Sequence, residues 1–171
     1  KYNASNGGPA TETLTEAVYA RTQAVAQLHI SDAPDLAIDA LGVQQIEQMM
    51  VEVIDPVADY AALMRELFDF DLLRGMFTRG FTMRVDAMNA VGGPYAKAIL
   101  EGELGAPAGT VVNATPLPDF GGLHPDPNPV NAEDLISHMA RADAPDFGAA
   151  MDGDADRNMV VGRNFVVTPS D

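Results

Sequence analysis

Phe147-Gly148-Ala149-Ala150-Met151-Asp152-Gly153-Asp154-Ala155-Asp156-Arg157 is the stretch that decides how this chain folds and where its chemistry sits. Five apolar or small residues followed by three aspartates at every second position read as a strand, Phe147 to Met151, that runs into an acidic loop. Ligands of open α/β sheets sit beyond the carboxyl ends of strands, so the loop lies where a site belongs. Gly153 and Ala155 are small enough for the backbone to curl and turn three carboxylates inward. Three carboxylates about 5 Å apart repel one another by roughly 3 kcal/mol per pair at an effective dielectric of about 20. They need a cation or a change of protonation. An oxygen-only donor set suits magnesium or calcium. A helix–loop–helix calcium site wants glycine at its sixth position and glutamate at its twelfth; here those positions hold Arg157 and Arg163, and a strand precedes. A solvated acidic turn is the bland alternative. Arg157 favours a magnesium site for phosphoryl chemistry, because an arginine beside metal-binding acids suits a phosphate that also reaches the metal.

Outward from the loop, Met159 to Val161 and Phe165 to Val167 read as a hairpin turning at Gly162-Arg163-Asn164. Upstream, Asn131 caps a helix through Arg141, with Asp134 at the box position. Residues 115–130 carry Pro116, Pro118, Pro125, Pro127 and Pro129, too many for a regular element. Thr110 to Ala114 and Thr82 to Asp86 are strands, with a helix from Tyr95 to Leu104 between them that enters through Gly92-Gly93-Pro94. That entry lacks the spacing of a nucleotide-phosphate loop. Asp55-Pro56 opens a helix that runs to about Met76, and Met50 to Ile54 is a short strand. Alternating short strands and helices from about residue 50 onward make the fold α/β. Before it, Ile30 to Ala40 is a linker, Thr11 to Leu28 a helix capped by Thr11 or Thr13, and Asn6-Gly7-Gly8-Pro9 a turn.

The 171 residues are 47% hydrophobic, enough for a sizeable core, and suit one domain plus part of another. The formal net charge is −15, with Lys1 and Lys97 the only lysines. Such a field repels nucleic acid and anionic membranes, so neither is an expected partner. A phosphorylated substrate needs a local exception: a metal, an arginine or a helix terminus. There is no cysteine, which removes disulfides and thiolate chemistry. No apolar run is long enough to span a membrane. The start at Lys1-Tyr2-Asn3 and the end at Thr168-Pro169-Ser170-Asp171 both read as cuts within a longer chain.

Other residues have duller readings. His124 lies in the proline-rich loop, whose role is structural; His29 is a helix-end residue and His138 lies on the helix after Asn131. Asp86 ends a strand, where it shapes a turn or reaches a site. The nine methionines fill core space, and Leu67-Phe68-Asp69-Phe70 packs against the sheet.

Asp152 to Arg157 resembles the metal-binding loop of the α-D-phosphohexomutases, and further segments narrow the resemblance to phosphoglucomutases. Lys1-Tyr2-Asn3 with Ser5 to Ala10 is similar to the end of their first domain. Arg84 to Met88, Gly92-Gly93-Pro94-Tyr95, Glu103 to Pro107, Asp119 to Gly122, His124 to Asn128, Asp146 to Ala150 and Arg157-Asn158-Met159 resemble their second. The match runs in order through nearly the whole chain and is weakest over Ile30 to Met49; Ala155 stands where many members have glycine, a change expected to be tolerated.

The resemblance implies a mixed sheet packed by helices, with 1–35 the tail of domain one and 36–171 domain two. It implies a cytoplasmic enzyme that interconverts glucose 1-phosphate and glucose 6-phosphate through a phosphoserine and glucose 1,6-bisphosphate. Asp152, Asp154 and Asp156 are then Mg2+ ligands, and Arg157 meets the transferring phosphate. None of Ser5, Ser31, Ser137 and Ser170 lies in the family's nucleophile motif, so the chain alone is expected to be inactive and to depend on the remaining domains. A phosphomannomutase, a phosphoglucosamine mutase, a non-catalytic homologue and a free-standing magnesium module are the alternatives.

Overall fold

The computed structural model describes residues 2–30 and 32–167. The readings that involve Lys1, Ser31 and Thr168 to Asp171 lie outside the described residues. The chain forms two compact units, Lys1–Val53 and Ile54–Asp171. The expected change of domain at 35/36 and this division at 53/54 differ by one hairpin.

In the first unit the expected turn is present: Asn3 and Pro9 form a bridge, with Gly7 at φ 81°. Helix α1 spans Glu12–Gln23; Thr11 holds the cap position but its side chain makes no capping bond. An antiparallel hairpin follows, β1 (Gly42–Ile46) and β2 (Met49–Val53), with Ile46 opposite Met49. Strand β1 was not foreseen. Gln44-Gln45 breaks its alternation, and its turn uses Glu47 at φ 50° rather than a glycine.

The second unit opens with Asp55, whose carboxylate accepts from the backbone N–H groups of Val57 and Ala58 and caps α2 (Pro56–Leu67). The single helix expected to reach Met76 is two. Phe68 is extended, and Asp69 accepts from the Leu72 N–H at 2.9 Å to start α3 (Phe70–Thr78). A short acid that bonds its own downstream backbone favours a cap over helix interior. Of the stretch expected against the sheet, Phe70 is buried, while Leu67 and Phe68 are exposed.

Strand β3 is Met83–Asp86. Helix α4 (Gly92–Ala96) runs into a π-helical segment, Lys97–Glu103, in place of the expected continuous α-helix. Within it, Glu101 accepts from the N–H groups of Gly109 and Val111 and so pins the entry to β4 (Val111–Val112). Gly93 has no room for a side chain: a Cβ there would lie 2.1 Å from the carbonyl oxygen of Ala114. The glycines before Tyr95 thus serve close packing rather than phosphate.

The 115–130 segment is irregular apart from a 3-10 turn at Phe120–Gly122. Helix α5 is Glu133–Met139, and Ala132, not Asn131, takes its cap position. Asn131 is engaged elsewhere: its side-chain amide donates to the Asp126 carbonyl at 2.9 Å. Strands β5 (Phe147–Met151), β6 (Asn158–Gly162) and β7 (Phe165–Val166) complete the unit.

The five strands form one mixed sheet in the order β4-β3-β5-β6-β7. Strand β3 is parallel to β4 and β5, and β5, β6 and β7 are antiparallel. Met88, Leu135, Met139, Ala150, Met159 and Val161 form a core between α5 and the sheet. Val85, Ala87 and Val111 pack with Leu100 and Met151, and Phe70, Phe77 and Leu104 with Met83, toward the other helices. The methionines fill core space here as expected, whereas Met49 and Met50 in the first hairpin are exposed.

Candidate metal centre

The parallel pair β3–β5 brings two aspartates to the same edge of the sheet. Asp86 ends β3, where Asp86 pairs with Ala150 and Asp152 follows the end of β5. Asp86 serves the fold: it is buried, and its Oδ1 accepts from the Met88 N–H at 2.8 Å and the Asn113 amide at 2.9 Å. His124, His29 and Ser137 are exposed and His138 is half-buried. Burial, then Arg84 and Arg141, hold the His138 imidazole below its ordinary value against the pull of Asp143.

The acidic loop joins β5 to β6, where Met151 pairs with Asn158. It closes on itself: Asp152 N–H donates to the Arg157 carbonyl (3.1 Å), and Ala155 N–H to the Asp152 carbonyl (3.1 Å). The Arg157 N–H donates to Asp152 Oδ1 at 2.9 Å. Ala155 has φ 60°, the left-handed region that favours glycine. Ala155 therefore carries a conformational demand besides the one of size.

This closure gathers the predicted residues. One carboxylate oxygen each from Asp152, Asp154 and Asp156 lies within 4.8 Å of the others. Asp152 is buried and the other two are exposed. Oxygens around an octahedral magnesium are about 3 Å apart when adjacent and about 4.2 Å apart when opposite, so the three carboxylates would have to draw together to share one hard cation. The guanidinium of Arg157 lies against the same group, Nε donating to Asp152 Oδ2 at 2.8 Å with Asp156 Oδ1 3.8 Å away. Burial works against the Asp152 charge, yet the Arg157 N–H, its guanidinium and Asp154 hold the carboxyl below the usual carboxylate range. Asp152, despite desolvation and with help from Asp126, raises the Arg157 value in turn.

One contributor went unread in the sequence. Asp126, from the proline-rich loop, accepts from Arg157 Nη1 at 2.6 Å, and the neighbouring Pro125 carbonyl accepts from the Gly153 N–H at 3.0 Å. Nothing in the local pattern pairs residues 31 apart. A cleft of about 690 Å³ also borders Asp154 and Ala155, lined by apolar residues such as Tyr60, Phe68, Val91, Tyr95 and Ile99.

A mixed sheet with helices on both faces, and an acidic loop with an arginine at a strand's end, defines an α/β domain with a cluster of three carboxylates at one edge of its sheet. The model of phosphoglucomutase/phosphomannomutase alpha/beta/alpha domain II matches residues 58–165. The chain belongs to that family. It is 58% identical over its whole length to a phosphoglucomutase of Rhizobium radiobacter, of which it covers 32%. It is 51% identical to phosphoglucomutase 1, chloroplastic, of Marchantia polymorpha, of which it covers 26%. A crystal structure of parafusin, a phosphoglucomutase from Paramecium in its open form, superposes on 99% of this chain with a TM-score of 0.81 at 41% identity, and 33% of that chain is covered. The chain thus spans about a third or less of the length of these relatives.

Proposed function

We propose that this chain is the magnesium-binding part of a phosphoglucomutase that interconverts glucose 1-phosphate and glucose 6-phosphate through an enzyme phosphoserine and glucose 1,6-bisphosphate. The observation that carries the reading is the convergence of Asp152, Asp154 and Asp156 within 4.8 Å beside the Arg157 guanidinium. Whole-length identity to phosphoglucomutases supports the sugar assignment. Asp152, Asp154 and Asp156 would hold Mg2+. When bound, the ion supplies positive charge to the oxygens of the transferring phosphoryl group. Arg157 would offer the same oxygens its remaining N–H donors, a charge-assisted contact that strengthens as their charge grows. The closed loop fixes these groups in advance, so little reorganisation is needed at transfer.

The phosphoserine and the rest of the sugar-binding surface belong to domains outside this chain, and the chain alone is inactive. On the same reading, 1–35 is the tail of domain one and 36–171 is domain two. The setting is cytoplasmic sugar metabolism, although chloroplastic relatives exist, and no helix among the described residues is long and apolar enough to cross a membrane. On the same reading the charge of −15 disfavours nucleic acid and anionic membranes as partners. A phosphomannomutase is the second reading, because the matching family carries both activities in its description.

The test is an assay of the full-length protein with glucose 1-phosphate, Mg2+ and a trace of glucose 1,6-bisphosphate. Turnover is expected to fall at least about a hundredfold in Asp154→Asn. Faster turnover of mannose 1-phosphate would keep the metal loop and change the substrate. No turnover of either sugar by folded protein would mark a non-catalytic homologue and overturn the proposal.

A further inference from the structure

We propose that Asp126 is a positioning residue for Arg157, and that the proline-rich loop before α5 sets the direction of the guanidinium at the metal loop. The inference rests on the reading of Asp152, Asp154 and Asp156 as a cation site with Arg157 beside it. Arg157 uses both oxygens of Asp152, its backbone N–H on Oδ1 and its Nε on Oδ2. A cation taken up by Asp152 draws on the same lone pairs and weakens the Nε contact. The Arg157 side chain is 63% exposed, so with that contact loosened a single-anchored guanidinium would swing into solvent.

Asp126 is the second anchor. It holds Nη1 at 2.6 Å and competes for no oxygen of the three loop aspartates. With Nη1 held there, the rigid planar fork keeps its direction when the Nε contact loosens, and the remaining N–H groups are left for an anion. Asp126 is itself built in. Its N–H donates to the His124 carbonyl at 2.8 Å, and its carbonyl accepts from the Asn131 amide at 2.9 Å. Asn128 lies 3.5 Å from its Oδ2, and Pro125 and Pro127 fix the backbone on either side. The Pro125 carbonyl ties the same loop to Gly153. Asn131, next to the start of α5, is thereby tied to the same loop.

The experiment uses the full-length protein and the variants Asp126→Asn, Asp126→Glu, Arg157→Ala and the double variant Asp126→Asn/Arg157→Ala. With Mg2+ and glucose 1-phosphate, Asp126→Asn should lower kcat about tenfold with little change in KM, and Asp126→Glu should recover part of the loss. In the Arg157→Ala background, Asp126→Asn should change kcat by less than about twofold, because its effect runs through Arg157. A loss that persists in that background, or a wild-type kcat in Asp126→Asn, overturns the proposal. A readout independent of turnover is solvent exchange of the Arg157 Nε–H, followed by 15N NMR with Mg2+ present. Exchange should rise in Asp126→Asn relative to wild type; unchanged exchange overturns the proposal. Should the wild-type protein neither bind Mg2+ nor turn over either sugar phosphate, the functional reading fails, and exchange of the Arg157 Nη1–H groups, which Asp126 holds directly, still decides without the metal whether Asp126 orients Arg157.

Discussion

The two units of the chain use similar apolar residues to opposite ends. In Ile54–Asp171 they build three buried clusters around one sheet. In Lys1–Val53 no described residue is buried, and Val18, Tyr19, Leu28, Ile30, Leu41 and Met50 are all exposed. Composition therefore does not separate the units; closure of a sheet does. A two-stranded hairpin and one helix cannot enclose a core, and isolated hairpins are marginal in water. A five-stranded sheet covered on both faces encloses one. The site sits on the unit that supplies its own rigidity, which a preorganised metal loop requires.

The comparison is sharpened most by matched truncations. Leu135 is 1% exposed in the α5 core, and Leu28 is 80% exposed. In the 171-residue chain, Leu135→Ala should destabilise by about 3 kcal/mol, read from the midpoint of urea unfolding. Leu28→Ala should shift it by less than about 0.5 kcal/mol. Equal effects would erase the distinction between the units. A large effect of Leu28→Ala in the full-length protein alone would show that segments outside this chain cover the first unit.

A smaller contrast lies in the helix caps. Asp69 accepts from the Leu72 N–H, while Thr11 at the start of α1 makes no side-chain capping bond. Asp69→Ala should destabilise by about 1 kcal/mol, and Thr11→Ala by only a few tenths. Thermal unfolding followed by circular dichroism reads both, and a Thr11→Ala loss as large as that of Asp69→Ala would break the contrast.

The strand-loop-strand that carries the site was legible because local signals agreed. An apolar run, an acidic run and a second apolar run have one reading, and β5 keeps its predicted limits, Phe147–Met151. Where local and longer-range signals competed, the reading ran out. Tyr60, Leu63, Met64 and Leu67 keep helical spacing up to the break, where an extended Phe68 and the Asp69 cap bond divide the helix in two. Asn131 has the right type for a cap, but the helix begins one residue later, with Ala132 at the cap position, and the Asn131 amide donates to the Asp126 carbonyl. Asp126 itself looked like one acid among prolines; its tie to Arg157 exists only once β5 and the loop before α5 are folded side by side. The three loop aspartates were legible as a cluster, and the resemblance to a family gave them a role.

A further contrast lies at the site itself. Ala155 holds φ 60° at the point where the loop turns back, its N–H bonded to the Asp152 carbonyl. A non-glycine residue in this region carries about 1–2 kcal/mol of strain. Glycine would relieve it, yet glycine also gives the unfolded chain more freedom, which offsets about 0.5–1 kcal/mol. Ala155→Gly should therefore stabilise by less than about 1 kcal/mol, a shift of the urea midpoint near the limit of measurement. Gly92, whose added Cβ would stand 3.2 Å from the Ala155 methyl, shows that the methyl is also in close quarters. Because rigidity in this unit comes from its core, the change should leave the rest of the sheet untouched, which hydrogen exchange at β5 and β6 would report. A loss of stability in Ala155→Gly would mean that contacts of the methyl outweigh the backbone strain.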